Sequence, residues 1–434
     1  IAGGEYNVAI GNSSLAALTS SDNNVAIGYL AGNDITTGDT SVYVGAQAGL
    51  NATTASGNVF IGMQAAGLGI VTGGTNVGVG AQSLYDLTSG ANNIAMGYRA
   101  GYNLTTAAGN TILGTQAVGT GILTGANNVV IGKLAGDNMT SADANVIIGE
   151  DAGAAQTTAG NNVLIGQGAG EGLTTGGDNI FVGTSAGDGH DAETNNLGIG
   201  KAALGGGIAG GEYNVAIGNQ ALDALTSGDQ NVAVGFASGT ALQGGANNTF
   251  VGNASGVAVT SGGNNTFVGC DAGTAVTTAD RNTMVGYGAG SAMTTGEKNV
   301  FVGYNAGLSG TNGSGVRNVG VGNQALLSLT DGQRNTAVGF TAGQLITTGE
   351  NNIAIGYSAA NGFDTENHNL AIGTDALGGS VAGGESNVAI GNSSLDALTS
   401  GDHNVAIGYI AGSALTTGND NILIGSQASM ADVS

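Results

Sequence analysis

The pentapeptide Asn-Val-Ala-Ile-Gly occurs at residues 7–11, 24–28, 214–218, 387–391 and 404–408, and relaxed forms of it fill every interval between them. With the closing glycine as anchor, 25 anchors run from Gly11 to Gly425; of the 24 intervals, 19 are 17 residues long, four are 18 and one is 19. A fixed period of this size marks a repeat architecture, in which each unit buries its apolar face only by stacking on the next. The chain reads as one continuous array over residues 1–434, without a linker or second domain. A coarser duplication lies above it: Ile1–Asn12 returns at Ile208–Asn219 and, with changes, at Val381–Asn392. The array opens and closes in mid-repeat, so a fragment of a longer fibre protein is expected.

One unit reads Asn-h-x-h-Gly-x-x-Ala-Gly-x-x-h-Thr-Thr-Gly followed by a polar turn, where h is apolar. Glycine recurs too often for a helix, and no 3.6-residue stripe is present. Short β-branched runs punctuated by Gly, Asn and Asp read as strands and turns. The fold class expected is all-β, a parallel β-solenoid or β-roll of about 25 coils. At ~4.8 Å per coil the array would extend on the order of 115 Å. The longer coils place their extra residue in an outer turn, as in Gly67–Gly74 and Gly310–Gly315.

The columns of the repeat carry more. Four residues before the anchor, 24 of 25 positions are Asn, with Ser41 the exception. Stacked asparagines, among them Asn7, Asn24, Asn93, Asn214, Asn352 and Asn404, can hydrogen-bond into a ladder along the axis. The positions one and three before the anchor are apolar or Thr throughout and are expected to fill the core. Three after the anchor every residue is Ala or Ser, so that site faces something close. The anchor itself is expected at a corner with positive φ or a tight backbone approach.

The position two before the anchor points to the other face of the strand. It holds no charged residue in 25 coils, and it carries Tyr43, Phe60, Phe181, Phe250, Phe267 and Phe301 among Ala, Gly and aliphatic residues. A strand apolar on both faces is buried on both. This column is therefore expected to be an oligomer interface, with cyclic symmetry because identical strips pack in register. The alternative is a wide core within one chain. Three chains would suit a fibre.

At this level the repeat resembles the head repeat of YadA-like trimeric autotransporter adhesins and the repeats of phage tail fibres. Asn335–Gly339, followed by Ala342-Gly343 and Thr347-Thr348-Gly349, is the nearest match to that pattern. The resemblance covers the whole chain and implies a trimeric β-roll that spaces or presents adhesive surfaces. It points to an extracellular location, on a virion fibre or a bacterial cell surface. The function expected is the structural shaft of a fibre that presents or contributes to attachment, with the chain itself as main partner in a homotrimer and a cell-surface glycan or receptor as a further one.

Composition sets the limits. Acidic residues outnumber basic ones 30 to 7, a net charge of −23, which disfavours nucleic acid and anionic membrane surfaces. There is no apolar run of ~18 residues, so membrane insertion is not expected. Cys270 stands alone, so no disulfide scaffold exists. The histidines His190, His368 and His403 lie many coils apart and are each expected in a solvated turn. The acidic turns match no calcium-binding nonapeptide, and a turn such as Asp364–Glu366 offers at most casual cation binding. No cofactor, metal site or catalytic set is expected, and an enzyme is not. The position after the anchor is variable, includes Lys133, Glu150 and Lys201, and is expected to face water. It also carries Tyr287, Tyr304, Phe340 and Tyr357, neighbours in pairs on adjacent coils. Exposed stacked aromatics can bind sugar rings; plain cross-coil packing is the competing reading. The Thr-Thr-Gly turns raise a minor alternative, an ice-binding face, interrupted at Gln243 and around 309–312.

Overall fold

The computed structural model of the chain describes residues 4–207, 211–308, 313–379 and 384–429. It is all-β. Among the described residues there are 25 strands of three residues each, one ending just before every anchor glycine, and no helix. Two compact units are formed, residues 1–214 and 215–434. The first carries the strands from Val8–Ile10 to Leu197–Ile199, and the second those from Val215–Ile217 to Ile422–Ile424. In each unit the strands stack in parallel and in register as a β-solenoid. Val25, Ala26 and Ile27 lie against Val42, Tyr43 and Val44, and the same pairing recurs coil after coil. A strand this short has no stability of its own; the backbone ladder to the coils on either side supplies it.

Each coil turns sharply just after its strand, and the anchor makes this possible. The anchor glycines adopt φ between +130° and +143°, a conformation closed to other residues. A Cβ on Gly149 would also stand 2.2 Å from the carbonyl oxygen of Gly166 in the next coil. Further turns place non-glycine residues in the left-handed region, as with Gln82, Leu84 and Asn92 at φ of 58°, 51° and 61°. Because this recurs in coil after coil, the strain is architectural and marks no single site.

The core lies inside each chain's own coil. The residue two before the anchor is fully buried there, including Tyr43, Phe60, Phe181, Phe250, Phe267 and Phe301. The expectation that these six side chains form a chain–chain interface is therefore corrected: each is sealed within its own solenoid. The expectation that the flanking residues fill the core is corrected with it. Val25 and Val42 are half-exposed, and Ile27 and Ile61 are each 38% exposed. Strand alternation requires this exchange, since residues one and three before the anchor share the face opposite the middle residue. The Asn column shares the inward face and is buried as well.

Core volume is traded between neighbours. After Phe60, Phe181 and Phe301 the next coil carries glycine at the same position, Gly78, Gly198 and Gly320. A Cβ on any of these glycines would lie 3.1–3.2 Å from the phenylalanine ring. Those three coils refill the space with Leu84, Leu204 and Leu326, all fully buried. Where the inner residue is large, the fourth position after the anchor is often glycine: a Cβ on Gly187 would meet the Phe181 ring at 2.5 Å, and one on Gly307 the Phe301 ring at 2.5 Å. The Ala or Ser three after the anchor is buried beside them, as expected. The extra residue of the longer coil at 67–74 bulges outward, leaving Leu68 56% and Ile70 63% exposed while Val71 stays in the core. Residues 309–312, where the longest coil has its insertion, lie outside the described residues.

Candidate functional site

Three hydrogen-bond ladders join the coils. In the first, each asparagine of the buried column accepts at Oδ1 from the backbone of the next: Asn24 N on Asn7 at 2.9 Å, Asn352 N on Asn335 at 3.0 Å, and Asn404 N on Asn387 at 3.0 Å. The side-chain amide donates onward, as from Asn93 Nδ2 to the Ala107 carbonyl at 2.8 Å. Asn214 joins through Asn196 Oδ1 at 2.9 Å. Ser41 keeps the ladder whole: its N–H donates to Asn24 Oδ1 at 2.9 Å, and its Oγ accepts from Asn58 N at 3.2 Å.

The second ladder uses the acidic turns. The Asp39 carboxylate accepts from Asp22 N at 2.7 Å, Asp280 from Gly263 N at 2.7 Å, and Asp402 from Glu385 N at 2.8 Å. These carboxylates thus bind across coils besides keeping the surface charged. In the third, the threonine that opens the turn donates its hydroxyl to the next coil, as Thr36 to the Thr53 carbonyl at 3.1 Å and Thr88 to Thr105 at 3.0 Å. The second threonine is exposed at Thr37, Thr54, Thr106 and Thr175, but Ala192 and Gly244 stand in the same column. The hydroxyl array available to ordered water is therefore one column wide and broken.

Two outward surfaces remain. The first is the outer face of the strands, made in every coil by the residues one and three before the anchor. All are Val, Ile, Leu, Met or Thr, and none is charged. The second is the column after the anchor. Tyr287, Tyr304, Phe340 and Tyr357 are 52%, 49%, 46% and 56% exposed. Tyr287 and Tyr304 stack at 5.5 Å and 12°, and Phe340 and Tyr357 at 5.3 Å and 9°. Both expected features, exposure and cross-coil stacking, are thus present together. Lys133 pairs with Glu150 in this column at 2.8 Å.

Groups with reactive chemistry are dispersed. His368 and His403 lie in exposed turns, at φ of 62° and 56°. His190 does not: it is fully buried, with its ring 4.7 Å from Phe181. It occupies the core column seven after the anchor, held elsewhere by Ile35, Leu104, Met139 and Leu173. That column was the sequence signal for its burial. Burial lowers the imidazole pKa from 6.5 to about 4, with Glu193 and the Gly187 backbone opposing the shift. The Asp364–Glu366 turn is closed to cations on one side, because the Glu366 carboxylate is buried and accepts from Asp364 N at 2.6 Å and Thr365 N at 3.0 Å. Glu193 does the same for Asp191 and Ala192 at 2.8 and 3.1 Å. Cys270 is a half-exposed thiol beside Asp271. Among the described residues no group of three or more His, Cys, Asp or Glu is placed to hold a metal ion, and no helix is long and apolar enough to cross a membrane. Comparison with known proteins finds no matching family model and no matching curated relative.

Proposed function

We propose that the chain is the structural shaft of an extracellular fibre, a homotrimer that presents or contributes to attachment at a host or other surface, on a virion or a bacterial cell. The observation that carries this reading is the uncharged outer face of the strands. Each side chain on it leaves on the order of 50 Å² exposed, so the twelve coils of the first unit offer roughly 1,000 Å², beyond the ~300–600 Å² of the largest patch on a typical monomer. A standard interface buries ~800 Å² per partner. A solenoid that left this face in water would aggregate edge to edge or face to face. Identical faces in register make a parallel cyclic assembly the economical way to cover it. The interface so proposed is formed by residues such as Ile27, Val44, Ile61, Ile148 and Ile165, in place of the buried aromatics. The reading is non-enzymatic: the polar side chains are spent on ladders between coils. Light scattering of the folded chain tests it. A mass of three chains is expected; a well-folded monomer overturns the assembly, and a hydrolase activity on surface polysaccharide overturns the structural role.

A second reading is favoured by the stacked, half-exposed pairs Tyr287–Tyr304 and Phe340–Tyr357, namely that the rod itself adheres to glycans along this column. Glycan binding that is lost on Tyr287→Ala with Tyr304→Ala, without loss of thermal stability, would establish it.

A further inference from the structure

We infer that Tyr85, Asp86, Tyr98, Arg99 and Tyr102 form a binding site for a neutral, hexose-containing glycan in the first unit. The site shares Tyr98 with the column after the anchor but is centred on the fifth position after it, many coils from Tyr287–Tyr304 and Phe340–Tyr357, and it does not rest on glycan binding by those pairs.

Tyr85 and Tyr102 occupy the fifth position after Gly80 and Gly97, and their rings stack at 4.9 Å and 11°. No other coil has an aromatic residue at that position. The coils on either side carry glycine there, Gly67 and Gly119. No side chain of the same column therefore covers the outer faces of the ring pair. On the same side of the coil the Arg99 guanidinium lies 5.2 Å from the centre of the Tyr98 ring and 5.0 Å from that of Tyr102. Tyr98 is 47% exposed.

Arg99 is held in place by neutral groups. Its Nε donates to Gln82 Oε1 at 2.8 Å, at the end of an amide ladder in which Gln82 donates to Gln64 at 3.1 Å and Gln64 to Gln47 at 3.0 Å. None of the three ion pairs among the described residues uses it. The guanidinium thus lies against two tyrosine rings with only its Nε held by a neutral acceptor. Asp86 follows Tyr85 in the chain; its Oδ1 is shielded from solvent without a hydrogen-bond partner, and burial raises its carboxyl above the usual range. Burial raises the Tyr102 phenol above its usual range; Tyr85 and Asp86 add to this and Arg99 opposes it, so these groups share one local field.

The set matches the chemistry of a pyranose. Its C–H face packs on an aromatic ring. Its hydroxyls accept from the Arg99 guanidinium and donate to the solvent-reached side of the half-buried Asp86 carboxylate. An acidic sugar or a phosphate would meet Asp86 and the field of a chain at −23. A hydroxyl-rich neutral ligand can satisfy Arg99 and Asp86 together.

The test titrates the intact chain with maltose, lactose, N,N′-diacetylchitobiose and sialyllactose, read by ligand-observed saturation-transfer NMR. Saturable binding of at least one neutral disaccharide is expected. It should weaken tenfold or more in Tyr102→Ala, weaken in Asp86→Asn and Arg99→Gln, and stay unchanged in Tyr304→Ala. Thermal unfolding of each variant shows that the fold is kept, and Arg99→Gln serves if Tyr102→Ala does not fold. Three results would overturn the proposal: no saturable binding of any neutral disaccharide, binding that survives every substitution in the cluster, or preference for sialyllactose over lactose. Loss of binding in Tyr304→Ala alone would assign glycan binding to the other column instead.

Discussion

At the scale of single residues, the repeat makes exceptions informative. His190 stands where most other coils place an apolar side chain, and burial holds its ring neutral to about pH 4 against an ordinary value of 6.5. The folded state thus binds the proton more weakly than the unfolded chain does. Above neutrality its titration adds no penalty, and what remains is the pH-independent cost of two buried ring nitrogens without hydrogen-bond partners; the residue destabilises further as pH falls through 6.5 toward 4. His190→Leu should exceed the parent by a constant margin at pH 8 and above, and by about 3 kcal/mol more at the limit below pH 5. Thermal melts of both proteins across that range check this, because the carboxylates common to both cancel in the difference. The anchor glycine is the opposite case, a residue with no permitted exchange. Gly149→Ala forces both a φ of +142° on alanine and a contact of 2.2 Å with the Gly166 carbonyl. A loss above ~4 kcal/mol is expected. Since stability in stacked repeats is set by nearest neighbours, hydrogen exchange should rise in the adjoining coils first.

At the scale of the coil, the ladders carry the specificity. Asn128 donates to Asn110 Oδ1 at 3.0 Å and to the Ala142 carbonyl at 2.8 Å, and it accepts from Asn145 N at 3.0 Å, all without water access. Asn128→Ala strands these partners and should cost about 2–4 kcal/mol. Asn128→Ser should cost less, because Ser41 shows that a hydroxyl can receive the next backbone N–H. Chemical denaturation of both variants checks the order. The period, the anchor, the asparagine ladder and the tight Ala/Ser site are all legible in the sequence, since each rests on one residue type repeated at one phase. The direction of the strand faces is harder, because apolar residues occupy both. Two signals do resolve it. The asparagine column lies two residues from the inner column and so shares its face. The size trade, Phe60 with Gly78 and Leu84, can only arise between side chains that touch inside one solenoid. His190 was hidden for a related reason: a polar residue in a mostly apolar column, where Gln156 is likewise buried, reads as a turn until the column is aligned across coils.

At the scale of the whole molecule, the inward and outward faces differ by a single residue step, and this separates folding from assembly. Ile147 and Ile148 are neighbours on one strand; Ile147 is fully buried and Ile148 half-exposed. A carboxylate at Ile147 would enter a core with no partner for it. Ile147→Glu should therefore unfold the coils around it, at a cost above ~4 kcal/mol. A carboxylate at Ile148 reaches solvent in an isolated chain and should change its intrinsic stability by no more than ~1 kcal/mol. In a cyclic assembly the same charge meets its symmetry copies on a dry face, where like charges repel strongly and lack water. Ile148→Glu with Ile165→Glu should accordingly keep the circular dichroism of the parent while light scattering falls to the mass of one chain. If both outward variants retain the parent mass, the strand face is not the contact. If they unfold as Ile147→Glu does, the face is part of the core after all, and the assignment of inside and outside fails with it.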